Sequence, residues 1–190
     1  VNLITQALHQ ANAELCRYSL QHLDGHTAGS TVVVLLLDKV HYHFLWAGDS
    51  RGYLLRHQQL RQLTRDHSQV NDMVEQGLLS SSEAEQHELA NVITRAVGVD
   101  SHVSIDVVSG VWQPGDLFLL CSDGLNKELT DAEICQYLAH NNIAEANRAL
   151  LHSTLVAGAR DNVTCILVKV NNDPQNVNDK DRTIPLFMNN

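Results

Sequence analysis

The first part of the chain changes from a helical to a strand-like spacing of apolar residues. Over residues 2–22 apolar side chains recur every three or four positions, which predicts an amphipathic helix. After two glycines, four short apolar runs follow at 31–37, 41–47, 51–56 and 60–63. The connections between these runs are too short for crossover helices, so the pattern predicts an antiparallel meander of four strands.

The remainder of the chain mixes short helices with separate strands. Apolar spacing and capping signals predict helices at 69–76, from 80 onward, at 130–140 and at 144–157. Alternation predicts a half-exposed strand around 103–107, and apolar runs predict strands at 117–120 and 163–170, the first of them buried on both faces. This mixture predicts the α+β fold class.

Composition limits the classes of protein that need to be considered. The 190 residues suit one domain, and 22 acidic against 13 basic side chains give a net charge of −9. No basic cluster stands out, so neither nucleic acid nor an anionic membrane is expected as a partner. The longest apolar run, 32–37, is too short to span a bilayer. The cysteines lack a C-x-x-C pair and lie in apolar runs, which predicts free thiols in a cytoplasmic protein.

The two ends of the sequence carry further expectations. From residue 171 onward the chain is rich in Asn and Asp and poor in apolar residues, which predicts a polar, disordered tail over 171–190. Val1 is not an initiator methionine. The sequence is therefore expected to begin inside a longer protein.

Three aspartates, Asp49, Asp123 and Asp161, fall at predicted strand ends beside turn-forming residues. Asp-Gly is a common turn dipeptide, so Asp123 taken alone is explained as a turn residue. However, Asp123 follows the strand 117–120 and Asp161 precedes the strand 163–170, and in antiparallel neighbours those ends lie on the same edge. Carboxylates that face each other there attract a cation, and oxygen ligands favour Mg²⁺ or Mn²⁺. Together the aspartates predict a metal site.

Six short motifs stand in order along the chain: Gly29-Ser-Thr31, Ala47-Gly-Asp-Ser-Arg51, Leu63-Thr-Arg-Asp-His-Ser68, Ile93-Thr-Arg-Ala-Val-Gly98, Cys121-Ser-Asp-Gly-Leu125 and Ala159-Arg-Asp-Asn-Val-Thr164. Their order and spacing resemble those of the metal-dependent, type 2C (PPM) serine/threonine protein phosphatases. The resemblance covers residues 1–170 and looks bacterial in type. It implies the family fold, a central antiparallel β-sandwich flanked by helices in α-β-β-α layers.

The resemblance also implies roles for individual residues. Asp123 and Asp161 resemble ligands of the second metal ion, and Asp49 resembles a ligand of a third ion. The supporting residues that it implies are Asn162, Gly124 and Arg51. Asp66, His67 and Ser68 open the segment 66–90, which resembles the mobile flap of the family.

The chemistry implied by the resemblance is the hydrolysis of phosphoserine and phosphothreonine in proteins. In the family, a water that bridges two metal ions attacks the phosphorus. The expected cofactors are therefore two catalytic Mn²⁺ or Mg²⁺ ions, with a third at Asp49. The expected partner is a phosphorylated protein, and the enzyme would oppose a serine/threonine kinase. The motifs are also similar to those of phosphatases that oppose a kinase in type VI secretion clusters.

The sequence departs from the family at its beginning. The chain resembles a type 2C domain over 1–170 that lacks about its first quarter, where the family carries a phosphate-binding Arg and an Asp that bridges the two metals. Asp24-Gly25-His26 follows the first helix, where the family has a variable loop, and is not expected to replace that Asp. The 190 residues alone are therefore expected to be inactive.

Two other functions stay open. The chain would be a non-catalytic pseudophosphatase if it only binds phosphoproteins. It would be a phosphatase with one dedicated substrate if it regulates anti-sigma-factor antagonists on the same fold. An Asp-Gly-rich loop encoded upstream of Val1 would favour the enzyme over the pseudophosphatase.

Other candidate sites have simpler explanations. His41 and His43 share one face of a strand, but no Cys or carboxylate stands at metal-site spacing, so surface histidines are expected. Cys121 is not followed by a phosphate-binding loop and is predicted to be a buried thiol. Arg51 would contact either the substrate phosphate or Asp49.

Overall fold

The computed structural model describes residues 1–85, 87–140 and 142–171. The predicted tail, 171–190, therefore lies outside the described residues except for its first residue. The helices are α1 (Asn2–His22), α2 (Gln69–Glu75), α3 (Ser81–Glu85), α4 (Asp123–Asn126), α5 (Asp131–Leu138) and α6 (Ile143–Ala157), and the strands are β1 (Val32–Leu37), β2 (His41–Ala47), β3 (Arg51–Arg56), β4 (Gln59–Gln62), β5 (Asp106–Val111), β6 (Leu117–Cys121) and β7 (Cys165–Lys169).

The strands form two antiparallel sheets. The first sheet has the order β1-β2-β5 and the second the order β4-β3-β6-β7. Because β2 and β3 lie in different sheets, the predicted four-stranded meander is wrong. Residues 48–50 carry the chain from one sheet to the other. Gly48 permits this crossing because its φ is 114° and because a Cβ there would lie 2.4 Å from Thr31 Cγ2.

A cluster of aromatic and aliphatic side chains joins the facing sides of the two sheets. The first sheet contributes Tyr42, Phe44 and Trp46, and the second contributes Leu54 and Phe118. The ring centroid of Phe118 lies 5.2 Å from that of Tyr42 and 6.0 Å from that of Phe44. Aromatic pairs at such distances add to the free energy of burial. The sheets therefore form the predicted sandwich, and the α+β fold class is confirmed.

Helices α4, α5 and α6 cover the outer side of the second sheet. Leu125, Ile134 and Leu150 from these helices are fully buried against Leu119 of β6. The helix α5 begins with a complete capping box, in which Thr130 and Glu133 satisfy each other's backbone N–H groups. Since β6 is covered by the first sheet on one side and by helices on the other, it is buried throughout, as predicted.

The helix α1 lies at the other end of the layers, and its buried residues differ from the predicted apolar face. Asn12 and Ser19 are its buried side chains, whereas Leu3 is 81% exposed. Asn12 is buried because it bridges to residues 98–100: its Oδ1 accepts from the Gly98 N–H and its Nδ2 donates to the Asp100 carbonyl. Hydrogen bonds from a buried polar side chain therefore fix α1 to the loop at 98–100.

The predicted strand around 103–107 lies further along the chain. Val103 is 3% exposed and packs with Ala47 and Val97 below the first sheet, and β5 begins only at Asp106. The alternation of apolar residues correctly indicated a strand in this region. The same alternation begins in the buried loop before β5, so it did not show where the strand starts.

Candidate metal centre

The ends of three strands place Asp49, Asp123 and Asp161 along one edge of the sandwich. In the antiparallel pair of β6 and β7, Cys121 lies opposite Cys165, so Asp123 follows and Asp161 precedes the same end of the pair. Arg51 of β3 also lies opposite Cys121, which brings the preceding Asp49 to this end. The strand pairing that the sequence predicted for Asp123 and Asp161 is confirmed.

Asp123 and Gly124 belong to the short helix α4, and not to the tight turn that the dipeptide alone would suggest. A Cβ on Gly124 would lie 2.4 Å from the backbone oxygen of Asn162. Glycine is therefore required for close approach of α4 to the loop before β7, and not for a positive φ. Ser122 reinforces this approach, because its Oγ donates to the Asn162 carbonyl at 3.3 Å and accepts from the Thr164 N–H at 3.0 Å.

Two of the aspartates share a cation that the chain itself supplies. The Lys127 Nζ lies 2.5 Å from Asp123 Oδ2 and 4.0 Å from Asp161 Oδ2. Asp161 Oδ1 accepts a hydrogen bond of 2.7 Å from the backbone N–H of Asn162, so Asn162 orients Asp161 through its main chain. Sequence reasoning missed Lys127. Lys127 stands four residues after Asp123, and this spacing predicts an ion pair only when residues 123–127 are assigned to a helix.

The half-buried carboxyl of Asp49 lies in an environment of negative charge. Burial raises the pKa of Asp49 most, and the charges of Asp123 and Asp66 raise it further, while the Lys127 ammonium acts in the opposite direction. A carboxyl under these influences binds a proton or another cation more readily than an exposed one.

The partner of Arg51 is Asp66, so of the two contacts considered for Arg51 the pairing with Asp49 is wrong. Arg51 Nε and Nη2 donate to the Asp66 carboxylate at 2.8–3.0 Å, and Nη1 donates to the Tyr53 hydroxyl at 3.1 Å. Burial by itself lowers the pKa of Arg51, but the hydrogen bonds with Asp66 and Tyr53 outweigh it and raise the pKa. Arg51 thus ties the start of β3 to the first residue of the predicted flap.

His67 joins the predicted flap to the turn that precedes Asp49. Its Nδ1 accepts from the Gly48 N–H at 3.0 Å, and its own backbone N–H donates to the Gly48 carbonyl at 3.0 Å. Nε2 lies 3.2 Å from Asp106 Oδ2 and 3.0 Å from Arg95 Nη1, which itself pairs with Asp106. Burial lowers the pKa of His67 more than the neighbouring Asp106 raises it. The ring also stacks on Trp46 at a centroid distance of 6.0 Å.

Both ends of the predicted flap are fastened at the same place. Ser68 caps α2 by accepting a hydrogen bond from the Asn71 N–H, and it is bridged to Ile93 by antiparallel backbone pairing. The Thr94 N–H donates to the His67 carbonyl at 2.8 Å. The segment between Ser68 and Ile93 therefore leaves the sandwich and returns to it at adjacent positions.

The donor atoms at the edge match a divalent cation in kind but form an incomplete set. In 1–85, 87–140 and 142–171, no group of three or more His, Cys, Asp or Glu side chains is close enough to hold a metal ion. The three aspartates still offer carboxylate oxygens, which Mg²⁺ and Mn²⁺ prefer. The Lys127 ammonium between Asp123 and Asp161 shows that a positive charge is accommodated there. These residues therefore fit the expected ions.

The other sequence candidates remain structural. His41 and His43 each lie 3.4 Å from Asp38, a carboxylate neighbour that sequence spacing did not reveal, but no metal group was found there among the described residues. Cys121 is 2% exposed, and burial, followed by the nearby Cys165, raises the pKa of its thiol. The prediction of a buried Cys121 thiol is confirmed.

Comparison with known proteins identifies the class that this architecture represents. The two stacked sheets, the outer helices and the acidic edge define a mixed α+β protein with a candidate cation site between strand ends. A family model described as protein phosphatase 2C matches residues 1–157, and the chain belongs to this family. The resemblance drawn from the six motifs is thereby confirmed.

Individual relatives agree with that assignment. The chain is 32% identical over 169 residues to the serine/threonine phosphatase stp of Listeria innocua, covering 88% of this chain and 67% of stp. It is similar to the structure of PppA, a key regulatory component of T6SS in Pseudomonas aeruginosa, with a TM-score of 0.78, 38% identity and coverage of 87% and 67%. The catalytic domain of PstP in complex with two manganese ions aligns with a TM-score of 0.73, 30% identity and coverage of 82% and 65%. The chain thus spans about two thirds of the length of these relatives.

No helix in the described part of the chain is long and apolar enough to cross a membrane.

Proposed function

We propose that the protein to which this chain belongs hydrolyses phosphoserine and phosphothreonine in proteins, with Mn²⁺ or Mg²⁺ held at Asp123 and Asp161 and a further ion at Asp49. The observation that carries the proposal is the convergence of these three carboxylates at one edge of the sandwich. Membership of the protein phosphatase 2C family supports the reaction. The PstP structure with two manganese ions supports the cofactor by analogy.

The chemistry divides between the ions and the chain. Bound divalent ions would lower the pKa of a water and neutralise charge on the phosphoryl oxygens. Asp123 and Asp161 would hold the ions, since Asp123 begins α4 just after β6 and Asp161 lies in the loop that leads into β7, the strand paired with β6. Asn162 would keep Asp161 oriented through its N–H, and Gly124 would let the two carboxylates approach. Precise positioning of this kind accounts for much of the rate enhancement in phosphoryl transfer.

We further propose that the segment 66–90 acts as a flap over the edge. Asp66 and His67 would anchor it, because they contact Arg51 and Gly48 on either side of Asp49. Substrate proteins would meet the flap first, so its sequence would influence which phosphoproteins are accepted. We infer a cytoplasmic enzyme that opposes a serine/threonine kinase. The similarity to PppA supports a role in type VI secretion as one such context.

Residues 1–170 would constitute the phosphatase domain within this chain. We also propose that the 190 residues alone show little or no turnover. The described residues contain no complete ligand group, so the ions would bind weakly and would rarely be present together. The same reasoning leaves a phosphoprotein-binding pseudophosphatase as the second candidate function.

Mutations of the aspartates test the proposal in the protein encoded by the complete reading frame. Asp123→Asn and Asp161→Asn should each lower Mn²⁺-dependent hydrolysis of a phosphothreonine peptide by more than about a hundredfold, because a ligand matters at least as much as the groups that support it. Asp24→Asn is the matched control, since Asp24 is an exposed aspartate in a left-handed turn that Asn tolerates.

The outcomes separate the two candidate functions. Hydrolysis that persists in EDTA, or in either aspartate variant, would contradict the metal-dependent mechanism. Tight binding of a phosphopeptide without any hydrolysis in the wild type would favour the pseudophosphatase. Rapid turnover by the purified 190 residues would show that the described carboxylates suffice.

A further inference from the structure

We propose that Lys127 is a built-in counter-ion of the candidate metal centre, and that its ammonium competes with divalent cations for Asp123 and Asp161. This inference rests on the proposed function. Lys127 Nζ makes a hydrogen bond of 2.5 Å with Asp123 Oδ2 and lies 4.0 Å from Asp161 Oδ2. A divalent cation that binds both carboxylates would approach the same oxygens, so Lys127 must move when such a cation binds.

The backbone around Lys127 is fixed, while its side chain is free to leave. Arg160 Nη2 donates to the Lys127 carbonyl at 3.3 Å, and Arg160 Nε donates to Glu128 Oε1 at 2.9 Å. These bonds hold the end of α4 against the loop that carries Asp161. The Lys127 side chain is 32% exposed, so solvent is available to the ammonium when it is displaced.

Lys127 also lies at the edge where all three aspartates gather. Its ammonium contacts the Asp123 and Asp161 carboxylates, and the strand pairing brings Asp49 to the same end of the sheet. Without this charge, three carboxylates would repel one another across one rim of the sandwich. Lys127 therefore stabilises the metal-free fold and weakens metal binding by the same interaction, because binding must first break it.

Removal of the ammonium should raise the affinity for metal. A partly exposed ion pair contributes a modest free energy, and its loss should strengthen Mn²⁺ binding to Lys127→Met about fivefold. Methionine keeps most of the apolar stem, so packing changes little. The control is Lys39→Met, because Lys39 is an exposed lysine in the turn between β1 and β2, at the opposite end of β2 from Asp49, and its loss changes the net charge equally.

Two measurements on the 190-residue chain test the inference. Electron paramagnetic resonance of free Mn²⁺ gives the affinity even where binding is weak, and thermal unfolding in EDTA reports the metal-free fold. Lys127→Met should bind Mn²⁺ more tightly than wild type and should unfold at about 3 °C lower temperature in EDTA, whereas Lys39→Met should change neither.

The inference fails if Lys127→Met binds Mn²⁺ no more tightly than Lys39→Met, or if the two variants unfold at the same temperature in EDTA. Weaker binding by Lys127→Met would show instead that the lysine orients Asp123 for the metal. Asp123→Asn separates this question from the proposed function. If Asp123→Asn leaves Mn²⁺ binding unchanged, the proposed metal site itself is misplaced. If Asp123→Asn loses Mn²⁺ binding while Lys127→Met has no effect, the metal site stands and only the role of Lys127 as its counter-ion is refuted.

Discussion

Substitution of Gly124 by alanine perturbs the closest approach between the two proposed ligand segments. The new Cβ would lie 2.4 Å from the Asn162 carbonyl oxygen and 3.1 Å from its carbonyl carbon. Real Cβ atoms essentially never come within 3.0 Å of such an atom, so the oxygen must retreat by at least the difference. The atom in the way belongs to the main chain and cannot rotate aside. Asp161, which directly precedes Asn162, must therefore shift away from Asp123.

Two opposing terms set the magnitude of this change. Forcing extra volume into a packed site costs about 1–3 kcal/mol. Alanine has a higher helix propensity than glycine, so this substitution within α4 also stabilises the helix by up to about 1 kcal/mol. We expect the free energy of unfolding to fall by about 1–2 kcal/mol, which for a domain of this size lowers the midpoint of thermal unfolding by about 3–6 °C. Mn²⁺ affinity should fall as well, because Asp161 shifts relative to Asp123.

Gly77→Ala provides the control. Gly77 has a φ of 71°, and a Cβ added there would have no other atom within 4 Å, so alanine costs backbone strain of about 1 kcal/mol without a collision. Urea unfolding should show similar losses for both variants, whereas Mn²⁺ titration should show weaker binding for Gly124→Ala alone. A Gly124→Ala variant that is at least as stable as wild type and binds Mn²⁺ equally well would refute the close-approach argument.

Two further predictions concern the anchors of the proposed flap. Arg51→Lys should lower the free energy of unfolding in urea by about 1–2 kcal/mol, because lysine cannot contact both Asp66 oxygens and Tyr53 at once. The control Arg65→Lys, in an exposed ion pair, should lower it by less than about 0.5 kcal/mol. Equal costs would contradict the assigned geometry. The pKa of His67 is lower in the folded than in the unfolded chain, so below about pH 6.5 the unfolded state binds more protons. The free energy of unfolding should therefore decrease as the pH is lowered through this range, by at most about 1.4 kcal/mol per pH unit. His67→Asn, which keeps an acceptor for the Gly48 N–H, should remove that part of the pH dependence; an identical pH dependence in the variant would refute the assignment.

Local patterns of the sequence predicted most of the fold. The strand bounds at 41–47 and 51–56 follow directly from apolar runs between turn residues, and α5 follows from its capping box. The assignment of β2 and β3 to different sheets could not be predicted this way, because a short connection has the same sequence signals in a hairpin and in a crossing between layers. The order of strands depends on tertiary packing, which a linear pattern does not contain.

The position of the candidate ligands was predictable, but their contacts were not. Asp123 and Asp161 were located by reasoning from strand direction, which requires only that β6 and β7 be neighbours. Lys127 and the pairing of Arg51 with Asp66 were not, since they depend on where α4 begins and on how the loop after β4 returns to β3. Contacts between side chains of different helices and strands can be predicted only when the relative positions of those elements are known.

The crossing of the chain at residues 48–50 also affects how the molecule folds. Most strand pairs here join neighbours in sequence or close hairpins, but Asp49 reaches its position only when the two sheets are stacked on each other. Contacts between distant parts of a chain require slow loop closure, so they form late. We expect the acidic edge to be the last part of the sandwich to assemble, and a divalent cation to slow unfolding without accelerating folding.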